Sequence, residues 1–89
     1  MKPINGSRKD FRELFTVEVN TKKMCFSSVG RNSAGQYVLM KSWDYNIGNA
    51  YSSNEEFYLL SLKEVKEYAQ QAYYRGQLSE KEYDKFQKL

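Results

Sequence analysis

The sequence predicts an α+β fold: a three- or four-stranded antiparallel meander, followed by a C-terminal helix–turn–helix hairpin packed on one sheet face. Three observations lead there. Between residues 14 and 43, apolar residues recur at period two and are separated by short polar connections. From residue 61 the apolar spacing changes to that of an amphipathic helix. Two Ser-x-x-Glu patterns, Ser61 to Glu64 and Ser79 to Glu82, mark where two helices begin.

A chain of 89 residues is expected to form a single domain. Residues 1–13 read as a lead-in, residues 14–60 as the sheet and residues 61–89 as the helical hairpin. Within the lead-in, Ser7 stands three residues before Asp10, a weak capping pattern that favours a short helix. A strand starting at Leu14 is the competing reading. In "FTVEV", Phe15, Val17 and Val19 alternate with Thr16 and Glu18, so the three apolar residues are expected on one face of a strand. "NTKK" connects to "MCFSSV", a second strand with Met24 and Phe26 on one face.

The polar loop "GRNSAG" leads into "QYVLMKSW". There Tyr37, Leu39 and Trp43 share one face, while Val38 and Met40 share the other. Apolar residues on both faces predict a central strand. Residues 44–56 show no periodicity and read as a long loop. "FYLL" then reads as a fourth, edge strand or as a first helical turn; the capping pattern beginning at Ser61 favours the strand.

The helical region follows one grammar twice. Ser61 and Glu64 form a box, Leu60 can staple onto Val65, and Leu62, Val65, Tyr68, Ala69, Ala72 and Tyr73 fall on one side of the helix. Gly76 fits the left-handed position that ends a helix. Leu78, Ser79, Glu82 and Tyr83 repeat the staple and box, and Tyr83, Phe86 and Leu89 continue the apolar face. Within residues 62–89, the order Gly76, Leu78, Ser79, Glu82, Tyr83 resembles the short C-terminal hairpins of SHOCT type. That resemblance implies a role in oligomerisation for the hairpin alone, and the β-rich front has no counterpart in it.

The chemistry available to the chain is narrow. It contains no histidine, which removes the commonest general base and metal ligand. A single cysteine, Cys25, excludes an internal disulfide and a cysteine-based zinc site. Cys25 sits in an alternating strand with no base beside it and reads as a small buried hydrophobe. Asp44, next to Trp43, is the one carboxylate in a site-like context. "GRNSAG" has the glycine spacing of a phosphate loop but lacks the following Lys-Ser/Thr and opens onto a strand. No catalytic residue, metal or cofactor is expected.

Binding is the remaining mode of action, most readily of a protein partner. Trp43, Tyr45, Tyr51 and Tyr74 are the aromatic candidates, because rigid amphipathic rings concentrate interface energy. The net charge of +3 is carried by the front half, which suggests a second reading as a sheet-based DNA- or RNA-binding domain. Its candidates are Lys22, Lys23, Arg31, Asn32 and Lys41, with Arg8, Lys9 and Arg12 close in sequence. Assembly through the hairpin, as a homo-oligomer, is the third reading. The first twenty residues lack a secretory pattern and no stretch is apolar enough to span a membrane, so a cytoplasmic location and no membrane partner are expected. The abundance of Lys, Asn and Tyr is typical of AT-rich coding sequence, where small lone domains are often phage or mobile-element accessory and inhibitor proteins.

Overall fold

In the computed structural model, residues 3–22, 24–47 and 50–89 are described, with the backbone alone at residues 44–47 and 50–53. The strands are β1 (Pro3–Ile4), β2 (Arg12–Asn20), β3 (Cys25–Arg31), β4 (Tyr37–Ile47) and β5 (Ala50–Leu59). The helices are α1 (Leu62–Tyr74) and α2 (Glu80–Gln87). All five strands form one antiparallel sheet in the order β1-β5-β4-β3-β2. This corrects the expected three or four strands. Strands β2 to β5 make the meander, and β1 returns to pair Pro3 with Tyr58 and Ile4 with Phe57.

The two added pieces of sheet come from segments without apolar alternation. Residues 44–56, expected as a loop, continue β4 to Ile47 and begin β5 at Ala50, paired from Asp44–Ser53 to Ile47–Ala50. Backbone ladders join these strands, and such ladders leave no signature in side-chain pattern. In the lead-in, the expected short helix is a 3-10 turn, Arg8–Asp10, and the Ser7 hydroxyl accepts from the Asp10 amide as the spacing suggested.

One row of side chains crosses the sheet beneath the helices: Phe15, Val29, Leu39 and Tyr58, matched in register on β2, β3, β4 and β5. Together with Val17 it meets Val65, Ala69 and Ala72 of α1 and Leu78 of the corner, all buried. Phe86 of α2 reaches Phe15 at 4.8 Å between ring centroids, and Tyr73 stacks on Tyr83 at 4.6 Å. The helical hairpin therefore lies on one sheet face, as expected.

The other face has its own smaller core of Val38, Met40 and Phe57, over which Ile4, Phe11 and Phe26 pack. The segment from β1 to Phe11 covers it. Arg8 ties that segment down by an ion pair to Glu55 at 2.8 Å, a bond to the Ser42 hydroxyl and a position over the Phe26 ring. Strand β4 is buried on both faces through Val38, Leu39 and Met40, which is why its apolar residues run without a break.

Strand β2 departs from simple alternation. Its pairing with β3 slips between Glu13 and Phe15 and again between Thr16 and Glu18, which leaves Leu14 and Val17 as bulged residues. A one-residue slip exchanges the faces of everything beyond it. Val19 therefore pairs with Phe26 on the face away from the helices, and does not join Phe15 and Val17. Met24, expected inside the second strand, lies in the preceding turn.

The helix ends follow their sequence grammar. Ser61 and Glu64 form a complete capping box, and Gly76 adopts φ 75°. The second box is partial: the Ser79 hydroxyl both accepts from the Glu82 amide and donates to its carboxylate. Leu62, placed on the buried stripe by periodicity, is half exposed at the first turn.

Three consequences can be measured. At Gly30, where β3 passes β2, a Cβ would stand 2.3 Å from the Arg12 carbonyl oxygen and 2.7 Å from the Phe11 ring. Gly30→Ala is expected to cost about 1–3 kcal/mol in chemical denaturation. The Ser28 hydroxyl is wholly buried and has no hydrogen-bond partner among the described residues. Ser28→Ala should therefore leave the denaturation midpoint unchanged or raise it, because no bond is lost and a buried polar group is removed.

The Ser61 backbone amide, and then its hydroxyl, hold the Glu64 carboxyl below its ordinary range. A depressed folded value means that this contribution is present above the unfolded value and disappears as pH falls through the folded one. The wild-type melting temperature should accordingly drop more on acidification than that of Glu64→Gln, followed by circular dichroism.

Candidate functional site

The two covering layers, helices on one face and the N-terminal segment on the other, concentrate on the end of the sheet nearest the β3–β4 turn. The opposite end carries the β2–β3 turn and the β4–β5 hairpin, and here apolar side chains reach the surface. Val19 is 54% exposed and Met24 43% exposed. Beside them Cys25, Phe26 and Trp43 are half-buried.

The backbone sets this arrangement. The bulge at Val17 turns Val19 outward next to Phe26. Met24 has φ 51°, the left-handed region that a non-glycine side chain occupies at a cost of about 1–3 kcal/mol. That conformation reverses the chain in time for Cys25 to pair with both Asn20 and Trp43. Two shallow grooves result, sharing Cys25 and Phe26. One, of about 430 Å³, is walled by Val19 and Met24; the other, of about 470 Å³, is walled by Trp43, Lys41 and Glu18.

Beyond Trp43, β4 has no partner in β3. The pairs from Asp44–Ser53 to Ile47–Ala50 form a two-stranded ribbon that extends past the sheet by four residues per strand. At a rise of about 3.4 Å per residue it reaches some 14 Å further. Among the described residues, neither outer edge of the ribbon is paired.

The aromatic candidates are distributed over different elements. Trp43 lies at the open end, in register with Cys25. Tyr45 and Tyr51 belong to the ribbon by their backbone, and their side chains lie outside the described residues. Tyr74 is 73% exposed on the last turn of α1; its ring packs on Tyr73 and its hydroxyl accepts from Gln70. No described contact joins Tyr74 to Trp43.

The basic candidates are not brought together. Lys22 is exposed in the β2–β3 turn, and Lys23 lies outside the described residues. Arg31 and Asn32 sit at the opposite end of β3, about 20 Å away at ordinary strand rise. Asn32 is engaged by Gln36 through both its amide groups, and Arg31 donates twice to the Gly35 carbonyl. Lys41 lies between these ends, with its ammonium 5.5 Å from the Tyr58 ring centre. The Tyr58 hydroxyl donates to Glu56, and this bond raises its pKa above the ordinary tyrosine range.

Val19 and Met24 escaped the sequence reading. The alternation in "FTVEV" puts Val19 on the face of Phe15 and Val17 because the bulge has no residue signature there, and Met24 is expected inside the second strand. Asp44 has its side chain outside the described residues. No group of potential metal ligands is found among the described residues, and no described helix is long and apolar enough to cross a membrane.

In comparisons with known proteins, no family model, no curated protein and no solved structure matches the chain. The likeness of residues 62–89 to a SHOCT-type hairpin thus rests on the capping residues and Gly76.

Proposed function

We propose that this protein is a non-enzymatic binding protein that acts stoichiometrically on a protein partner, docked on the open end of its sheet. The observation that carries the reading is the substantial exposure there of Val19 and Met24 beside Phe26, on the face away from the helices, with Cys25 and Trp43 lining a second groove on the opposite face. An apolar centre with a mixed polar rim is the composition of a protein interface; a nucleic-acid surface concentrates positive charge. Around Val19 and Met24 stand Asn20, Thr21 and Lys22, and around Trp43 on the other face stand Glu18 and Lys41. Next to it, the unpaired edges of the ribbon offer backbone donors and acceptors to an added strand. A cytoplasmic site of action belongs to this reading.

Trp43, the single tryptophan, provides the assay. The full chain, immobilised, should retain a protein from cells of its source, and nuclease treatment should not release it. Titration of that protein should then move the Trp43 emission with an endpoint at a fixed molar ratio. Met24→Asp and Val19→Asp, both at exposed positions, should weaken binding by about 30-fold or more while leaving the fold intact. Turnover of a substrate by the isolated protein, or unchanged binding in both variants, would refute the proposal.

A further inference from the structure

At the closed end of the sheet, three cations meet around one carboxylate. Arg12 and Arg31 are direct cross-strand partners on β2 and β3. Partners in that relation have Cβ atoms roughly 5 Å apart, and like charges there are destabilising. Lys9, from the 3-10 turn, lines the same groove. Neither Arg12 nor Lys9 has a partner among the described residues. The one carboxylate present, Asp10, is committed in part to the turn: its Oδ1 accepts from the Ser33 amide at 3.0 Å.

Arg31 is held ready for a ligand. Its Nε and one terminal nitrogen donate to the Gly35 carbonyl at 3.2 and 2.7 Å, and its guanidinium lies 4.9 Å over the Tyr37 ring. These contacts fix the plane of the fork and leave its other terminal nitrogen without a partner among the described residues, so little side-chain freedom is lost when an anion binds. Leu14, on the helix side of the sheet with Arg12 and Arg31, supplies an apolar wall, and the groove has a volume of about 490 Å³. That is larger than a bare anion requires and falls in the range of small-molecule sites.

We infer that this groove binds a small phosphate monoester, its phosphoryl group between Arg12 and Arg31 and its organic part against Leu14. Three cations against one carboxylate leave a net charge of +2, which a monoester dianion neutralises and a single diester phosphate does not. Guanidinium groups match phosphate oxygens in a bidentate manner, and two forks on adjacent strands can grip one group from two sides. The site lies at the far end of β3 from the proposed docking surface and does not depend on it.

The test uses the full ¹⁵N-labelled chain with three probes in turn: inorganic phosphate, adenosine monophosphate and a single-stranded oligonucleotide without terminal phosphates. Adenosine monophosphate should produce saturable shifts of the Arg12 and Ser33 amides and of Arg31 Nε–H, and should bind more tightly than inorganic phosphate because the wall adds contact. The oligonucleotide should bind more weakly than adenosine monophosphate. Arg12→Gln, at an exposed position, should weaken binding about 10-fold. The same variant should melt no lower than wild type, because the repulsion with Arg31 is removed, and should lose the rise in melting temperature that phosphate gives the wild type. The inference falls if no saturable shift occurs at these residues, if Arg12→Gln binds as wild type does, or if the oligonucleotide binds as tightly as the monophosphate or more tightly.

Discussion

The fold depends on the burial of β4 between two unequal layers. Val29 and Leu39, with no exposed surface, form the centre of the row that α1 covers, while Val38 and Met40 point away into the smaller core under Phe11 and Ile4. Both layers settle at the end where Tyr37, Tyr58 and Leu60 also lie, and the other end stays open. The contrast between a covered and an uncovered end follows from the supply of apolar residues on either side of one strand.

Legibility of the sequence tracked burial. The central strand was readable because its two apolar sets, Tyr37 with Leu39 and Val38 with Met40, meet the two cores as their alternation required. The helical hairpin was readable because capping is local: Ser61, Glu64, Gly76 and Ser79 act within a few residues of themselves. What went unread has long-range causes. Nothing in "MKPIN" indicates that Pro3 and Ile4 pair with residues more than fifty positions away. The polar stretch after Trp43 carries no alternation although it is half of a hairpin. The displacement of Val19 arises from a register slip that only the partner strand defines. For the site, Trp43 was named from its neighbourhood in sequence, whereas Tyr74 and the scattered basic residues belong to elements that the topology keeps apart.

The two ends of the sheet differ in chemical character as well as in cover. The open end presents apolar side chains and unpaired strand edges, features suited to a large, conformable surface. The closed end presents fixed charge: an arginine fork oriented by a carbonyl and a tyrosine ring, opposite a second arginine. Strand β3 joins these ends and is paired on both sides in the sheet.

The contact between Phe15 and Phe86 links positions 71 residues apart, and Gln87 closes the same layer by donating to the Lys66 carbonyl. Topologies rich in such distant pairings fold slowly, since loop-closure entropy has to be overcome before the contact stabilises anything. During synthesis the strands leave the ribosome first and the hairpin that covers them last. Until α2 arrives, the face bearing Phe15 and Val29 is only partly shielded. That face is therefore closed only once Phe86 can reach Phe15, after both capped helix starts at Ser61 and Ser79 have been made.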